Sequence, residues 1–186
     1  MGMLIDGRWI DEDQTIQNGS YVRSTSAFAK PVEAQTVQAM VAEPGRFHLI
    51  GSLSCPWSHR STLARAVKRL DHCIPVHIAR GPRTEGYRLG TRERPWKVPG
   101  ADVEIEHLHE LYRLADPTYT GRVTVALLWD AERLVIVSNE STHILRGVDA
   151  GAGAGWQDWT LRPERRASEI DETSNRIHRT LNNGVY

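Results

Sequence analysis

The chain reads as an α/β protein, and three observations carry that reading. An apolar alternating run, Phe47 to Leu53, leads straight into a helical pattern with Leu63, Ala66, Val67 and Leu70, and a second apolar run opens at Cys73. Two further apolar runs, Val123 to Trp129 and Leu134 to Val137, are separated by Asp130-Ala131-Glu132-Arg133, a plausible hairpin turn. A length of 186 residues suits one well-packed domain and is short for two.

In chain order, residues 1–45 are weakly patterned, with Gly7, Gly19, Pro31, Pro44 and Gly45 among scattered aromatics. They are expected as an extended N-terminal arm packed onto a core. A strand from about Arg46 to Gly51, a helix from Pro56 to Leu70 and a strand from Cys73 to Ala79 follow with short loops. That spacing predicts a right-handed βαβ unit with parallel strands. Residues 80–105 hold five arginines and three prolines with little periodicity, and read as a long irregular loop whose length hints at function. A helix is predicted from Glu104 to Ala115, with Ile105, Leu108, Leu111 and Tyr112 on one face, stopped by Asp116-Pro117. After the hairpin, Ser138 and Asn139 are good caps for a short helix over Glu140 to Arg146. Gly147 to Gly155 is rich in glycine and alanine, and a linker is expected over 148–162. Ala167, Ile170, Ser174, Ile177 and Leu181 then lie on one stripe, predicting an amphipathic helix in 163–186 that needs a partner surface. The order βαβ, helix, then ββα is that of a thioredoxin-like domain with one mixed sheet. Here it spans 46–147, with the arm before it and one trailing amphipathic helix after it.

Charge is balanced, at 23 basic and 23 acidic residues, so nothing in the totals points to nucleic acid. No apolar run approaches the roughly 20 residues needed to cross a membrane, and the first residues do not resemble a secretory leader. A cytoplasmic protein is expected.

The chemistry centres on Cys55, in Leu53-Ser54-Cys55-Pro56-Trp57-Ser58-His59-Arg60. It falls on the strand-to-helix turn, with Pro56 suited to the first helical position. Free N–H groups and the positive end of the helix dipole favour an anion there, and a thiolate is the nucleophilic form of cysteine. Cys55-Pro56-Trp57-Ser58 lacks a second cysteine, which excludes dithiol exchange within the motif and leaves a monothiol mechanism resolved by a small thiol from solution. Cys73 reads as a small core residue. Trp57 reads as a core anchor, with a lid over the thiolate as the alternative, His59 and Arg60 as surface charge or a local pairing, and His77 and Trp129 as core. Glu140 and Ser141 open a helix, where backbone N–H groups could bind a carboxylate while the Glu side chain takes an ammonium; a simple capped helix start is the alternative. His107 and His109 are two apart on the predicted helix and so on different faces, and no metal site is expected.

Cys55-Pro56-Trp57-Ser58-His59-Arg60 resembles the Cys-Pro-Trp-Ala-His-Arg signature of the glutathionyl-hydroquinone reductases, the xi class of glutathione transferases. Further segments agree in order and spacing: Glu43 to Leu49, Ala115 to Val125, Leu128-Trp129-Asp130, Ile136 to Ser141, and Glu169-Ile170-Asp171 through Tyr186. The resemblance implies glutathione as co-substrate, a quinone-type electrophile as partner and Cys55 as catalytic nucleophile. It implies glutathione contacts at Tyr87, Arg122, Val125, Glu140 and Ser141, and makes 46–147 a glutathione-binding domain. It implies reduction of glutathionyl-hydroquinones through a mixed disulfide on Cys55. Separately, the uncovered apolar stripe of the last helix predicts self-association, as in a homodimer. Three departures stand out. The family has proline, after a cis peptide, where this chain has Ala126; the loop is expected either trans and altered, or cis at a cost. Tyr87 stands for a tryptophan. The chain stops at Tyr186, and 163–186 resembles only the first helix of the family's helical domain. The alternative reading is therefore a catalytically impaired thioredoxin-like binding module lacking that substrate domain.

Overall fold

Alternation along two central strands sorts the core into two layers. In the computed structural model, which describes residues 2–11, 16–17, 20–21, 26–151 and 159–182, strands Met3–Ile5 (β1) and Arg8–Ile10 (β2) form a hairpin, and Ile16–Gln17 (β3) pairs with Ser20–Tyr21 (β4). Helix Ala34–Ala42 (α1), strand Phe47–Ser52 (β5), helix Pro56–Val67 (α2) and strand Val76–Ala79 (β6) follow. Then come the short strands Trp96–Lys97 (β7) and Glu104–Ile105 (β8), helix Leu108–Ala115 (α3) and strand Gly121–Arg122 (β9). Strands Leu127–Asp130 (β10) and Val135–Ser138 (β11) precede helices Ser141–Ala150 (α4) and Ala167–Ile177 (α5).

The main sheet has the order β11-β10-β5-β6, with β5 and β6 parallel and the other neighbours antiparallel. This is the expected thioredoxin-like arrangement. Successive strand residues face opposite sides. Phe47, Leu49 and Leu128 therefore join Met40, Ala64, Ile144 and Val148 beneath α1, α2 and α4. Ile50, Leu127 and Trp129 join Leu108, Leu111 and Tyr112 beneath α3. All the residues in both sets are buried.

The first 45 residues contain more regular structure than an extended arm. The β1–β2 hairpin turns at Asp6-Gly7, both at positive φ (47° and 71°), the two-residue turn whose twist suits a hairpin. A side chain at Gly7 would strike the Pro117 carbonyl, so glycine is required there twice over. β1 also pairs antiparallel with β9 and buries Leu4. Helix α1 escaped the sequence reading because no side chain caps it and Met40 is its one fully buried residue.

Other boundaries moved for tertiary reasons. Glu104–Ile105 pairs with Trp96–Lys97 as a strand, so α3 starts at Leu108 and the loop over 80–105 is partly ordered by pairing. Cys73 to Pro75 precedes the β6 strand as turn and coil: the Cys73 N–H donates to Leu70 O, and Pro75 O accepts from the Leu49 N–H. Helix α4 continues through Gly147 to Ala150, into the stretch read as a linker. Gly147 lies where a Cβ would come within 2.8 Å of Val32, so the missing side chain serves close packing and not a break. Among the described residues no helix is long and apolar enough to cross a membrane.

At the C-terminal end of α2, Lys68 is buried and its ammonium lies 3.1 Å from the buried Asp149 carboxylate of α4. Lys68 Nζ also donates to the Trp159 carbonyl and sits 5.3 Å over the Trp159 ring. Asp149 accepts from Thr160 Oγ1 (2.6 Å) and the Leu161 N–H (2.9 Å). A lysine in such a place is stable only when paired and hydrogen-bonded. This pair anchors the chain entering the C-terminal helix.

Candidate active site

β5 delivers the chain to Cys55, which caps α2 with extended backbone (φ −113°, ψ 112°) and Pro56 in the first turn. No side chain caps this helix end, so its first N–H groups have no side-chain acceptor at the cap position. Cys55 is buried, and its Sγ lies 3.7 Å from the Val125 carbonyl oxygen. Ser58 Oγ, one turn into the helix, is buried and has no hydrogen-bond partner among the described residues. The thiol thus sits at the helix N-terminus, with the Ser58 hydroxyl in the first turn facing Gly51 of β5.

Val125 stands before a cis peptide to Ala126. Of the two outcomes the sequence left open, the loop takes the cis one. Tyr112 of α3 supports this loop from below. Its hydroxyl donates to the Thr124 carbonyl (3.0 Å) and accepts from Asn139 Nδ2 (3.0 Å). Burial pushes the Tyr112 phenol up to about 12, so it stays protonated and a donor. Asn139 also donates to Ser26 Oγ at 2.8 Å, tying the arm to the base of the site.

Glu140 caps α4, its Oε1 accepting the Thr142 N–H at 3.0 Å. Ser141 follows, and the pair lies against the second turn of α2. Arg60 Nε and Nη2 donate to Ser141 Oγ at 3.1 and 2.7 Å, Nη2 donates to Thr142 Oγ1 at 2.6 Å, and Nη2 stands 3.5 Å from Glu140 Oε1. The Arg60 guanidinium lies 4.9 Å over the Trp57 ring. Burial presses its pKa down and Glu140 pulls it back up. Arg60, expected as surface charge, is therefore the link between the two helix N-termini. Trp57, expected as a core anchor, is partly buried, packs against the core cluster that holds Cys55 and Val125, and meets His178 edge-on at 6.2 Å.

A hollow of about 320 Å³ opens beside the β5–α2 turn, lined by Ser52, Ser54, Arg80, Arg83, Tyr87 and Arg88 among others. Arg83 stacks over Tyr87 at 4.3 Å and donates to Ser54 Oγ at 2.8 Å. Such a basic, aromatic-walled hollow suits a carboxylate-bearing ligand. Of the six site residues read from sequence, Cys55 and Val125 meet directly, Glu140 and Ser141 adjoin α2 through Arg60, and Tyr87 packs on the core cluster that holds Cys55 and Val125. Arg122 lies on β9, its backbone paired with Met3 and its carbonyl accepting the Tyr119 hydroxyl at 3.0 Å. Sequence reasoning missed Tyr112 and Asn139. Asn139 was visible as a helix cap, but its partners come from positions 26 and 112.

The expectation that His107 and His109 diverge is also corrected. His107 is the extended residue before α3 (φ −117°, ψ 149°), so helical spacing does not apply. The two rings stack in parallel, 5.5 Å apart.

No protein-family model matches the chain. It is 38% identical over its full length to the glutathionyl-hydroquinone reductase PcpF of Sphingobium chlorophenolicum, covering 59% of that protein. It is 37% identical over its full length to the glutathionyl-hydroquinone reductase YqjG of Escherichia coli, covering 60%. Among solved structures, a xi-class glutathione transferase from Natrialba magadii matches all of this chain and 58% of its own, with a TM-score of 0.79 and 33% identity. The glutathione-bound structure of E. coli YqjG matches all of this chain and 57% of its own, with a TM-score of 0.75 and 34% identity. The chain spans about three fifths of the length of these relatives.

Proposed function

We propose that this chain, a relative along its whole length of the glutathionyl-hydroquinone reductases and xi-class glutathione transferases, is a glutathione-dependent thiol oxidoreductase that works through a mixed disulfide on Cys55. The observation that carries the reading is Cys55 itself: a free cysteine at the uncapped N-terminus of α2, 3.7 Å from the Val125 carbonyl. The Cys55 thiolate attacks the sulfur of a glutathionyl-hydroquinone. A sulfur–sulfur bond forms, the sulfur–carbon bond breaks, and the hydroquinone leaves after its ring carbon takes a proton. A second glutathione thiolate then attacks the mixed disulfide on its glutathione sulfur, releasing glutathione disulfide and restoring Cys55.

Glutathione has a γ-glutamyl end with one ammonium and one carboxylate, which Glu140 and the backbone and hydroxyl of Ser141 complement. The Val125 backbone suits the cysteinyl main chain, with Tyr87 and Arg122 as further contacts. The chemistry needs a reducing, thiol-rich compartment, so the cytoplasm belongs to the reading. Homodimerisation belongs to it as well, supported by the exposed Ile177 and Leu181 near the C-terminal end.

Mass spectrometry of the protein incubated with glutathione disulfide tests the proposal. One glutathione per chain is expected, mapped to Cys55, retained in Cys73→Ser and absent in Cys55→Ser. An unmodified Cys55 would favour a thioredoxin-like binding module without turnover.

A further inference from the structure

A second cluster of ligating side chains lies away from the thiol. Glu85 comes from the loop after β6, His107 from the residue before α3, and His109 from the first turn of α3. One donor atom from each lies within 4.8 Å of the others. His109 Nε2 and Glu85 Oε2 are 3.3 Å apart, close to the roughly 3.4 Å between two donors on a tetrahedral ion with bonds of about 2.0–2.2 Å. His109 is nearly buried, while Glu85 is exposed and free to close the remaining distance.

The segments that carry these ligands are already fixed to one another. The Leu108 N–H donates to Tyr87 O at 2.8 Å, and Arg88 bridges to His107. Trp9 of β2 stacks on His109 at 4.8 Å, and Gly86, at φ +73°, lies under the same indole, where a Cβ would come within 3.0 Å of it. The Glu110 carboxylate accepts the Glu106 and His107 N–H groups at 3.0 and 2.8 Å, which leaves a second acidic group beside the cluster.

We propose that Glu85, His107 and His109 bind one divalent transition-metal ion of the zinc class, with water completing the coordination shell. Two imidazoles and one carboxylate are the hard-to-borderline donor set such an ion accepts, and three protein ligands leave one open position. The ion would clamp the Gly86-Tyr87 segment to the start of α3. Nothing in this depends on the thiol chemistry.

The test uses the 186-residue Cys55→Ser protein, which removes the thiol at the start of α2 as a competing ligand and separates this proposal from the reductase reading. Calorimetric titration with Zn²⁺ should give one saturable site per chain, unchanged in the exposed control His72→Gln. Glu85→Gln should weaken binding at least tenfold, and His107→Gln with Glu85→Gln should abolish it. Zn²⁺ should raise the melting temperature of the Cys55→Ser protein but not that of the Glu85→Gln/His107→Gln form. His109→Gln is less informative, because His109 is packed under Trp9. Absence of saturable binding, or binding undiminished in the Glu85→Gln/His107→Gln protein, overturns the proposal.

Discussion

The two ends of helix α2 are built on opposite principles. At its start, Cys55 caps the helix without a side-chain acceptor, Ser58 Oγ has no partner among the described residues, and Arg60 reaches across to another helix N-terminus. At its end, polar groups are heavily partnered. Arg65 bonds Asp71 and the Ile74 carbonyl, and Lys68 is held by Asp149 and Trp159. The start of the neighbouring strands shares that closed character, with Arg46 forked on Asp130 at 3.0 and 2.8 Å and His48 bonded to His77 at 3.0 Å. Unmet hydrogen-bonding capacity gathers where the strands end and α2 begins, the usual side for ligands in α/β folds. The other end supplies the rigidity that keeps those groups in place.

The sharpest way to break this contrast is to remove one residue from each end. Cys55→Ser should lower glutathione-dependent reduction of a glutathionyl-hydroquinone by at least ~10³-fold, while its urea-unfolding midpoint stays close to the parent's. Steady-state kinetics and denaturation on the same sample check both halves. At the closed end, Asp149→Ala should cost about 3–5 kcal/mol, because Lys68 is left as an unpaired buried charge. The paired change Lys68→Met with Asp149→Leu should recover most of that loss, and urea denaturation reads the difference.

Arg60→Ala tests the link between the helix starts. It removes charge-assisted hydrogen bonds worth about 1.5–3 kcal/mol to Ser141 and Thr142. The KM for glutathione should rise roughly tenfold with a smaller change in kcat; a kcat loss alone would mean that Arg60 does not position Glu140 and Ser141.

The smallest effect is on pH dependence. Burial and the neighbouring His48 lower His77 to about 4, and burial lowers His48. Trp96 Nε1 donates to His77 Nδ1 at 3.1 Å, which leaves His77 Nε2 to donate to His48 Nδ1. The unfolded chain then binds more protons than the folded one between about pH 6.5 and 4. Stability from this pair is full above that window and is lost as pH falls through it. The urea midpoint should drop from pH 7.5 to pH 5, and His77→Gln should flatten the drop.

Legibility in the sequence follows the same division between local and distant causes. The β5–α2–β6 unit was readable because a period of two gives way to a helical period at Pro56, with the thiol at the join. Glu140 and Ser141 were readable as a helix start. Arg60 was misread because its partners are 81 and 82 residues away, and sequence patterning shows only that a side chain is charged. Strand β8 was hidden inside a helical pattern because its pairing with β7 is a tertiary fact. His107 and His109 were separated by a helical ruler begun at Glu104, four residues before α3 starts.

The pairing of β1 with β9 sets a schedule for folding. Met3 and Leu4 align with Arg122 and Gly121, so the pairing of β1 is completed only after more than a hundred further residues. At roughly 5–20 residues per second of synthesis, the new β1–β2 hairpin waits on the order of ten seconds with one edge unpaired and the apolar Leu4 uncovered. A two-stranded hairpin alone is marginal in water. Slow translation through the segment that ends at Gly121 should therefore lengthen the interval in which the nascent hairpin is open to chaperones and to pairing with other chains.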